Sequence, residues 1–417
     1  MLERQAARVR SLYREYPKHF WTLVGVTFID RLGGALLFPF FALYITTKFS
    51  VGMTEVGILF ALFSASSFIG TALGGALTDR LGRKGMLIFS LVSTSVSSLI
   101  MGFVDTLQAF YLLALLVGIF TDTGGPAHQA MVADLLPEDK RADGYGIIRV
   151  AFNLSVTIGP AIGGLLATRS YLLLFITDAV ISLFVAGLVW KYLPETKPDA
   201  LPGAVPESML GTFAGYGRAL RDKLFVMFLA ASTLLGLVYM NMNTTLGVYL
   251  RDAHGVSTAG YGYLLSLNAA MVVLFQFAIT RRVERYLPMY VMALGSILYA
   301  VGFAMYGFVG TYVMFMLAMV IITIGEMIIT PVAQALVARM APEDMRGRYM
   351  AVFGFSWGIS YAIGPLLAGM ILDSGQREWL WYAAGVVGLL ATGGFLHLSR
   401  LGSYAARPAP LVAEESG

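Results

Sequence analysis

Residues 118–165 read GIFTDTGGPAHQAMVADLLPEDKRADGYGIIRVAFNLSVTIGPAIGGL, and residues 323–370 read TIGEMIITPVAQALVARMAPEDMRGRYMAVFGFSWGISYAIGPLLAGM. The two align without a gap at an offset of 205. Gln129-Ala130 falls on Gln334-Ala335, Pro137-Glu138-Asp139 on Pro342-Glu343-Asp344, and Arg141 on Arg346. Further along, Ile158-Gly159-Pro160 falls on Ile363-Gly364-Pro365, and Gly164 on Gly369. Chance likeness between apolar segments would not keep a PED turn, an arginine and a GP pair in one register. Each copy is an apolar run, a short charged loop and a second apolar run, so the repeated element is a pair of long apolar helices.

The rest of the chain has the same character. Of its 417 residues 57% are apolar and 13% charged, against roughly 45–50% and about 25% in soluble domains. A helix crossing a hydrocarbon core of about 30 Å needs roughly 20 apolar residues. Twelve stretches qualify: 19–46, 54–77, 85–104, 107–133, 145–168, 171–193, 224–249, 258–280, 287–308, 311–337, 349–372 and 379–398. Short connections make consecutive spans antiparallel. The repeated segments are then spans 4–5 and 10–11, six apart and running in the same direction. That is a parallel repeat, which relates two halves about an axis along the membrane normal. The expected fold is an all-α membrane protein with twelve transmembrane helices in two pseudo-symmetric six-helix bundles, residues 1–193 and 223–400. The polar, proline-rich stretch 194–222, with PETKPDALPGAVPES, reads as the linker, and 401–417 as a tail. Residues 1–18 are polar and basic, and the first apolar run is long enough to span, so no cleavable leader is expected.

Charge sets the expected orientation. With the N-terminus cytoplasmic, cytoplasmic segments hold 23 of the 29 Lys and Arg. Outer loops then hold Lys48, Arg169, Arg251 and Arg377, and the spans hold Arg31 and Arg149. Both termini are expected in the cytoplasm of a cell whose plasma (inner) membrane carries the chain. The net charge of +4 reflects this asymmetry, and no nucleic-acid partner is needed to explain it. Cys is absent and the four His are scattered at 19, 128, 254 and 397, so no metal site is expected. No G-x-x-x-x-G-K-[ST] segment occurs, which disfavours ATP as the energy source. An enzyme is not expected.

Between spans 2 and 3 the sequence is GALTDRLGRKGML, residues 75–87. Gly75 and Gly82 permit close helix approach and a tight turn. Asp79 lies at a helix end near Arg80, Arg83 and Lys84, where charge-assisted bonds can form in one conformation and break in another. Asp134, at the cytoplasmic end of span 4, is the expected partner of Arg83. This loop resembles the signature of the major facilitator superfamily, G-x-L-x-D-R-x-G-R-K-x-x-L, at every position. The resemblance implies twelve helices in two related halves and covers nearly the whole chain. The equivalent loop of the second half, ITRRVER at 279–285, is degraded, as is usual in that family.

Span 5 carries SVTIGPAIGG, residues 155–164. Gly159, Gly163 and Gly164 allow another helix to approach, and Pro160 removes a backbone donor. The stretch is similar to the G-P-x-x-G-G motif of drug–proton antiporters, with Ser155 where that group usually has Gly. The mid-span-4 arginine often found in the group is missing, because FTDTGG stands at 120–125.

An ionisable side chain at bilayer depth costs at least about 2.5–3.5 kcal/mol. It persists when paired, facing water or neutralised by a proton. Asp30, Asp122 and Glu326 fall near mid-membrane and are the candidates for proton coupling and substrate binding. Glu326 leads them. Its segment, IGEMIITP at 324–331, resembles the G-E-x-x-x-T-P stretch of some multidrug exporters, where the acid is implicated in cation and proton recognition. Asp122 aligns with Met327, one position from Glu326. Arg31, Arg149 and Asp178 are expected as buried structural charges, Asp178 bonded to a neighbouring helix. Asp30 and Arg31, being consecutive, are expected to point apart rather than pair. Phe38, Phe41, Tyr239, Asn241, Asn243, Asn268, Gln276 and Trp357 are candidate cavity-lining residues, because aromatic faces with a few amides suit lipophilic cations.

The expected function is export of amphipathic, often cationic small molecules in exchange for protons, by alternating access between two rocking halves. No cofactor is expected beyond the proton gradient. The lipid bilayer, the substrate and protons are the expected partners, and a monomer the expected unit. A dedicated metabolite, sugar or lipid exporter or symporter is the alternative within transport; a transport-dead sensor or a channel is the alternative outside it.

Overall fold

The computed structural model describes residues 15–137, 140–197, 216–283, 285–342 and 345–401. Most of the stretch 194–222, nearly all of the tail 401–417, and parts of both PED turns fall outside them. The described chain is helical, because in lipid every backbone N–H and C=O needs an internal partner. In order, the helices are α1 (Lys18–Leu37), α2 (Phe41–Phe49), α3 (Met53–Leu81), α4 (Arg83–Phe103), α5 (Leu107–Thr121), α6 (Gly124–Leu135), α7 (Arg141–Arg169) and α8 (Tyr171–Tyr192). They continue as α9 (Lys223–Thr244), α10 (Leu246–His254), α11 (Thr258–Val283), α12 (Pro288–Met305), α13 (Tyr312–Met340), α14 (Arg346–Asp373) and α15 (Trp379–Arg400). Among the described residues, twelve stretches are long and apolar enough to cross a membrane, each within a few residues of a span read from the sequence.

Three spans read as continuous are interrupted. Span 1 is broken by a 3₁₀ turn, Phe38–Phe40, between α1 and α2, because Pro39 has no N–H to continue the ladder. Span 4 is broken at Asp122 and Thr123, between α5 and α6. Gly124-Gly125-Pro126 restarts the helix, with proline in the first turn, where an N–H would have no intrahelical acceptor. The Ser90 hydroxyl of α4 donates to the Thr121 carbonyl at this break. Span 7 is broken at Thr245, whose hydroxyl turns back to Asn241 Oδ1 at 2.8 Å. Discontinuous helices of this kind place main-chain ends at a transporter's polar sites.

The chain divides into two compact units, Met1–Ala204 with Val256–Ala269, and Val205–Gly255 with Ala270–Gly417. In the first, α1 packs on α7 and α8, α4 on α8, and α3 on α5. In the second, α12 packs on α13 and α15, and α9 on α14 and α15. The division runs through α11, whereas the sequence assigns all of span 8 to the second half. The cause is local: Tyr261 meets the Phe40 ring edge-on at 5.8 Å, and a Cβ on Gly164 would lie 3.2 Å from Gly262 Cα.

Candidate functional site

Glu326 lies at the midpoint of α13. The Tyr239 hydroxyl of α9 donates to Glu326 Oε1 at 2.9 Å. The Tyr239 ring stacks on Tyr299 of α12 with centroids 5.8 Å apart, and meets Trp357 of α14 edge-on at 5.9 Å. Gly325 makes this possible, since a Cβ there would stand 2.8 Å from Tyr299 Cδ1. Gln276 of α11 donates to the Met327 carbonyl at 2.9 Å. Glu326 is half-buried while Met327 is fully buried. The arrangement is one carboxylate with a hydroxyl donor and aromatic walls, suited to a proton or to a lipophilic cation.

The first unit holds a separate polar cavity of about 260 Å³, enclosed by α1, α4, α8 and the broken α5–α6 span. Asp30, Arg31, Asp122, His128, Asp178 and Ser182 all line it. Asp122 sits in the helix break and is exposed. Asp178 is 4% exposed and accepts from the Ser98 hydroxyl of α4. Gly33 leaves room for it, because a Cβ there would lie 2.7 Å from Asp178 Oδ1. Asp30 and Arg31 do pair, contrary to their reading as a diverging couple: Arg31 Nε is 3.8 Å from Asp30 Oδ2. The long guanidinium side chain reaches back along α1 and lies 6.0 Å from the Phe152 ring centroid. Nor is either arginine buried. The Arg31 side chain is 50% exposed, and Arg149 is exposed, its α7 position falling off the Ala151–Ser155 stripe.

The remaining lining candidates divide. Tyr239, Gln276 and Trp357 belong to the Glu326 group. Phe38 meets Phe60 at 5.9 Å, and Phe41 is buried among Phe60, Phe63 and Phe110. Asn241 is buried and spends its amide on the Leu237 carbonyl at 2.9 Å, so it serves the span-7 break rather than a cavity. Asn243 is half-buried, and Asn268 is buried in the first unit.

At the loop between spans 2 and 3, Arg83 Nε bonds Asp134 Oδ2 at 3.0 Å. Gly82 takes φ +94°, a left-handed conformation that favours glycine, and a side chain there would strike the Glu195 carboxylate. Gly75 has open space beside it, Arg80 is exposed and Lys84 half-buried, and the Asp79 side chain lies outside the described residues. Glu195 and its neighbours, read from sequence as the start of the linker, are docked on this loop. Glu195 accepts from the backbone N–H groups of Arg83 (2.8 Å), Lys84 (3.1 Å), Thr196 (2.9 Å) and Lys197 (3.0 Å). Thr196 donates its hydroxyl to Asp134 at 3.1 Å, and Lys197 Nζ reaches the Arg80 carbonyl at 2.9 Å. Partial burial would raise the Glu195 carboxyl, but the four N–H donors outweigh it and hold the group below the usual glutamate range.

On α7, Gly159 and Gly163 lie against the α1 backbone at Ala35 and Leu36. Pro160 continues the helix, and Gly164 meets Gly262. Ser155 is fully buried, its hydroxyl donating to the Phe28 carbonyl at 2.7 Å. His128, Ser182 and Glu195 were not singled out from the sequence as site residues. His128 and Ser182 carried a signal nonetheless, being polar side chains within apolar spans.

Comparison with known proteins agrees on the architecture. The Major Facilitator Superfamily model matches residues 23–325 and again 228–414. The chain is 26% identical over 390 residues to a Na⁺, Li⁺, K⁺/H⁺ antiporter of Planococcus maritimus, covering 87% of this chain and 91% of that one. It is 24% identical to the multidrug resistance protein MdtH of Shigella boydii over 86% of this chain and 88% of that one. The crystal structure of the nucleoside transporter NupG superposes with a TM-score of 0.76 at 13% identity, over 92% of this chain and 99% of that one.

Proposed function

The chain belongs to the major facilitator superfamily, a multi-pass membrane transporter rather than an enzyme, and from that premise we propose that it exports amphipathic, often cationic small molecules in exchange for protons. The observation that carries this reading is the Glu326 carboxyl, bonded by Tyr239 and walled by Tyr299 and Trp357. A carboxylate so placed holds a proton or a cation, and one displaces the other. Proton entry from outside discharges the cargo outward; loss of that proton inward readies the site for the next molecule. The aromatic walls supply stacking and cation–π attraction to cargo of varied shape. The relatives' names lend support, since one exchanges alkali cations for protons and another confers multidrug resistance.

The cycle requires alternating access, in which the site opens to one side of the membrane and then to the other. The α7–α1 glycine seam and the Arg83–Asp134–Glu195 clamp both lie within the first unit and suit a bundle that keeps its own packing through the cycle. The proton gradient supplies the energy without a cofactor, and the working unit is a monomer in the plasma (inner) membrane with both termini cytoplasmic.

Ethidium transport into inverted membrane vesicles under an imposed pH gradient tests this. Adding ethidium dissipates the gradient with the wild-type protein and fails to do so with Glu326→Gln. Unchanged coupling in that variant would remove Glu326 from the mechanism.

A further inference from the structure

The first-unit cavity contains an imidazole whose bonding fixes its chemistry. Thr27 of α1 donates its single hydroxyl hydrogen to the Leu23 carbonyl at 2.7 Å. The same oxygen lies 2.7 Å from His128 Nε2 on α6. With its hydrogen already committed, the Thr27 oxygen can only accept in this second bond, so Nε2 carries the hydrogen. In the neutral ring the lone pair therefore sits on Nδ1. Ser182, 1% exposed and lining the same cavity, has no hydrogen-bond partner for its hydroxyl among the described residues.

The charges around the cavity favour a positive guest. Asp30, Asp122 and Asp178 face it from three separate spans, and Arg31 alone offsets them among the lining residues. The acids are not gathered with one another or with His128 as a metal's ligands. From α4 the polar lining groups are the hydroxyls of Ser90 and Thr94, beside Leu87 and Leu91. Of the helices packed on α6, α7 contributes Tyr145, whose hydroxyl donates to the Gln129 carbonyl, and carries the exposed Arg149, while α3 carries the exposed Arg80 in its last turn. Asp134 lies on α6 itself, held by Arg83.

We infer that His128 is a proton-carrying residue of the first unit, a station separate from Glu326 in the second. The Nδ1 lone pair takes a proton arriving through the cavity, forming an imidazolium whose Nε2–H stays on Thr27. The surrounding carboxylates balance its charge, and loss of the same Nδ1 proton restores the neutral ring. This rests on proton exchange being the driving reaction, but the ionisation of His128 is measurable without transport.

The chain has four histidines, so ¹⁵N-imidazole NMR of the purified, detergent-solubilised protein resolves each one, with the His128 signal identified by its loss in His128→Gln. The expected result is the neutral Nε2–H tautomer in alkaline solution and protonation of both nitrogens on acidification. A ring that stays neutral throughout, or whose neutral form carries its hydrogen on Nδ1, overturns the assignment. In the vesicle assay, His128→Gln keeps an N–H for Thr27 but cannot carry charge. It is expected to transport ethidium with fewer protons exchanged per molecule, whereas full wild-type stoichiometry would make the imidazole structural only. Glu326→Gln should leave the His128 titration in place. That outcome separates failure of the Glu326 reading from failure of this one.

Discussion

The Glu195 carboxylate accepts the backbone N–H of Arg83 at 2.8 Å, across 112 positions of sequence. It thereby fills the place of a missing N-cap on α4, which begins directly after Gly82 with no side-chain cap of its own. A carboxylate just past the end of α8 thus holds the loop that starts the third span. Arg83 is fixed twice, by its main chain to Glu195 and by its guanidinium to Asp134.

Glu195→Gln should destabilise the first unit by about 0.5–1 kcal/mol, the lower part of the range for a lost cap because the group is exposed. The pH dependence has a definite sign. A carboxyl held lower in the folded state than in the unfolded chain stabilises fully above the ordinary glutamate range. That contribution disappears as the pH falls through the lowered value. Thermal unfolding of wild type and variant should therefore differ at neutral pH and converge on acidification. A gap that persists in acid would mean that Glu195 acts by packing.

The helix break at Asp122 yields a second expectation. Ser90→Ala removes the donor to the Thr121 carbonyl and leaves that acceptor unpaired, at a cost of about 1–3 kcal/mol. Ser90→Thr retains the hydroxyl and should recover most of the loss in a thermal-unfolding measurement. Equal losses in both variants would show that the hydroxyl bond is dispensable.

The glycines of α7 are not equivalent. A side chain at Gly163 runs into the Leu36 backbone carbonyl, which no rotamer change can move aside. Gly163→Val is expected to cost at least about 3 kcal/mol, beyond ordinary overpacking, and to lower the yield of folded protein. Gly164→Ala brings a methyl to 3.2 Å from Gly262 Cα, a contact relieved by a few tenths of an ångström. Its unfolding midpoint should stay close to wild type. Comparable damage from both would assign the motif a role other than close packing.

Hydropathy exposes the twelve spans because lipid demands continuous apolar helices, and the repeat of 118–165 in 323–370 exposes their grouping. The interruptions are harder to see. An average over a span hides a two-residue break, although Gly124-Gly125-Pro126 and Pro39 were its local signatures. Glu326 stands out as a charge in an apolar run and Tyr239 as an aromatic lining candidate, yet only folding joins the two by a hydrogen bond. Glu195 was hidden because it bonds main-chain N–H groups, which leave no trace in sequence. Consecutive helix residues point their Cβ atoms apart, but the Arg31 guanidinium reaches far beyond its Cβ and returns to Asp30.

The Glu326 group permits its hydroxyl and its aromatic walls to be tested apart. Tyr239→Phe keeps the ring stacked on Tyr299 and removes only the donor to Glu326 Oε1. A hydrogen bond to a charged group contributes about 1.5–3 kcal/mol, so the variant's proton coupling should change while ethidium affinity falls little. Trp357→Leu does the reverse, leaving the hydroxyl bond and removing the edge-on ring at 5.9 Å. Loss of one cation–π wall costs about 0.5–2 kcal/mol, which predicts weaker ethidium binding with coupling preserved. Binding by fluorescence and coupling by gradient dissipation in vesicles separate the two. If both variants lose affinity alone, Glu326 holds cargo without exchanging it for a proton.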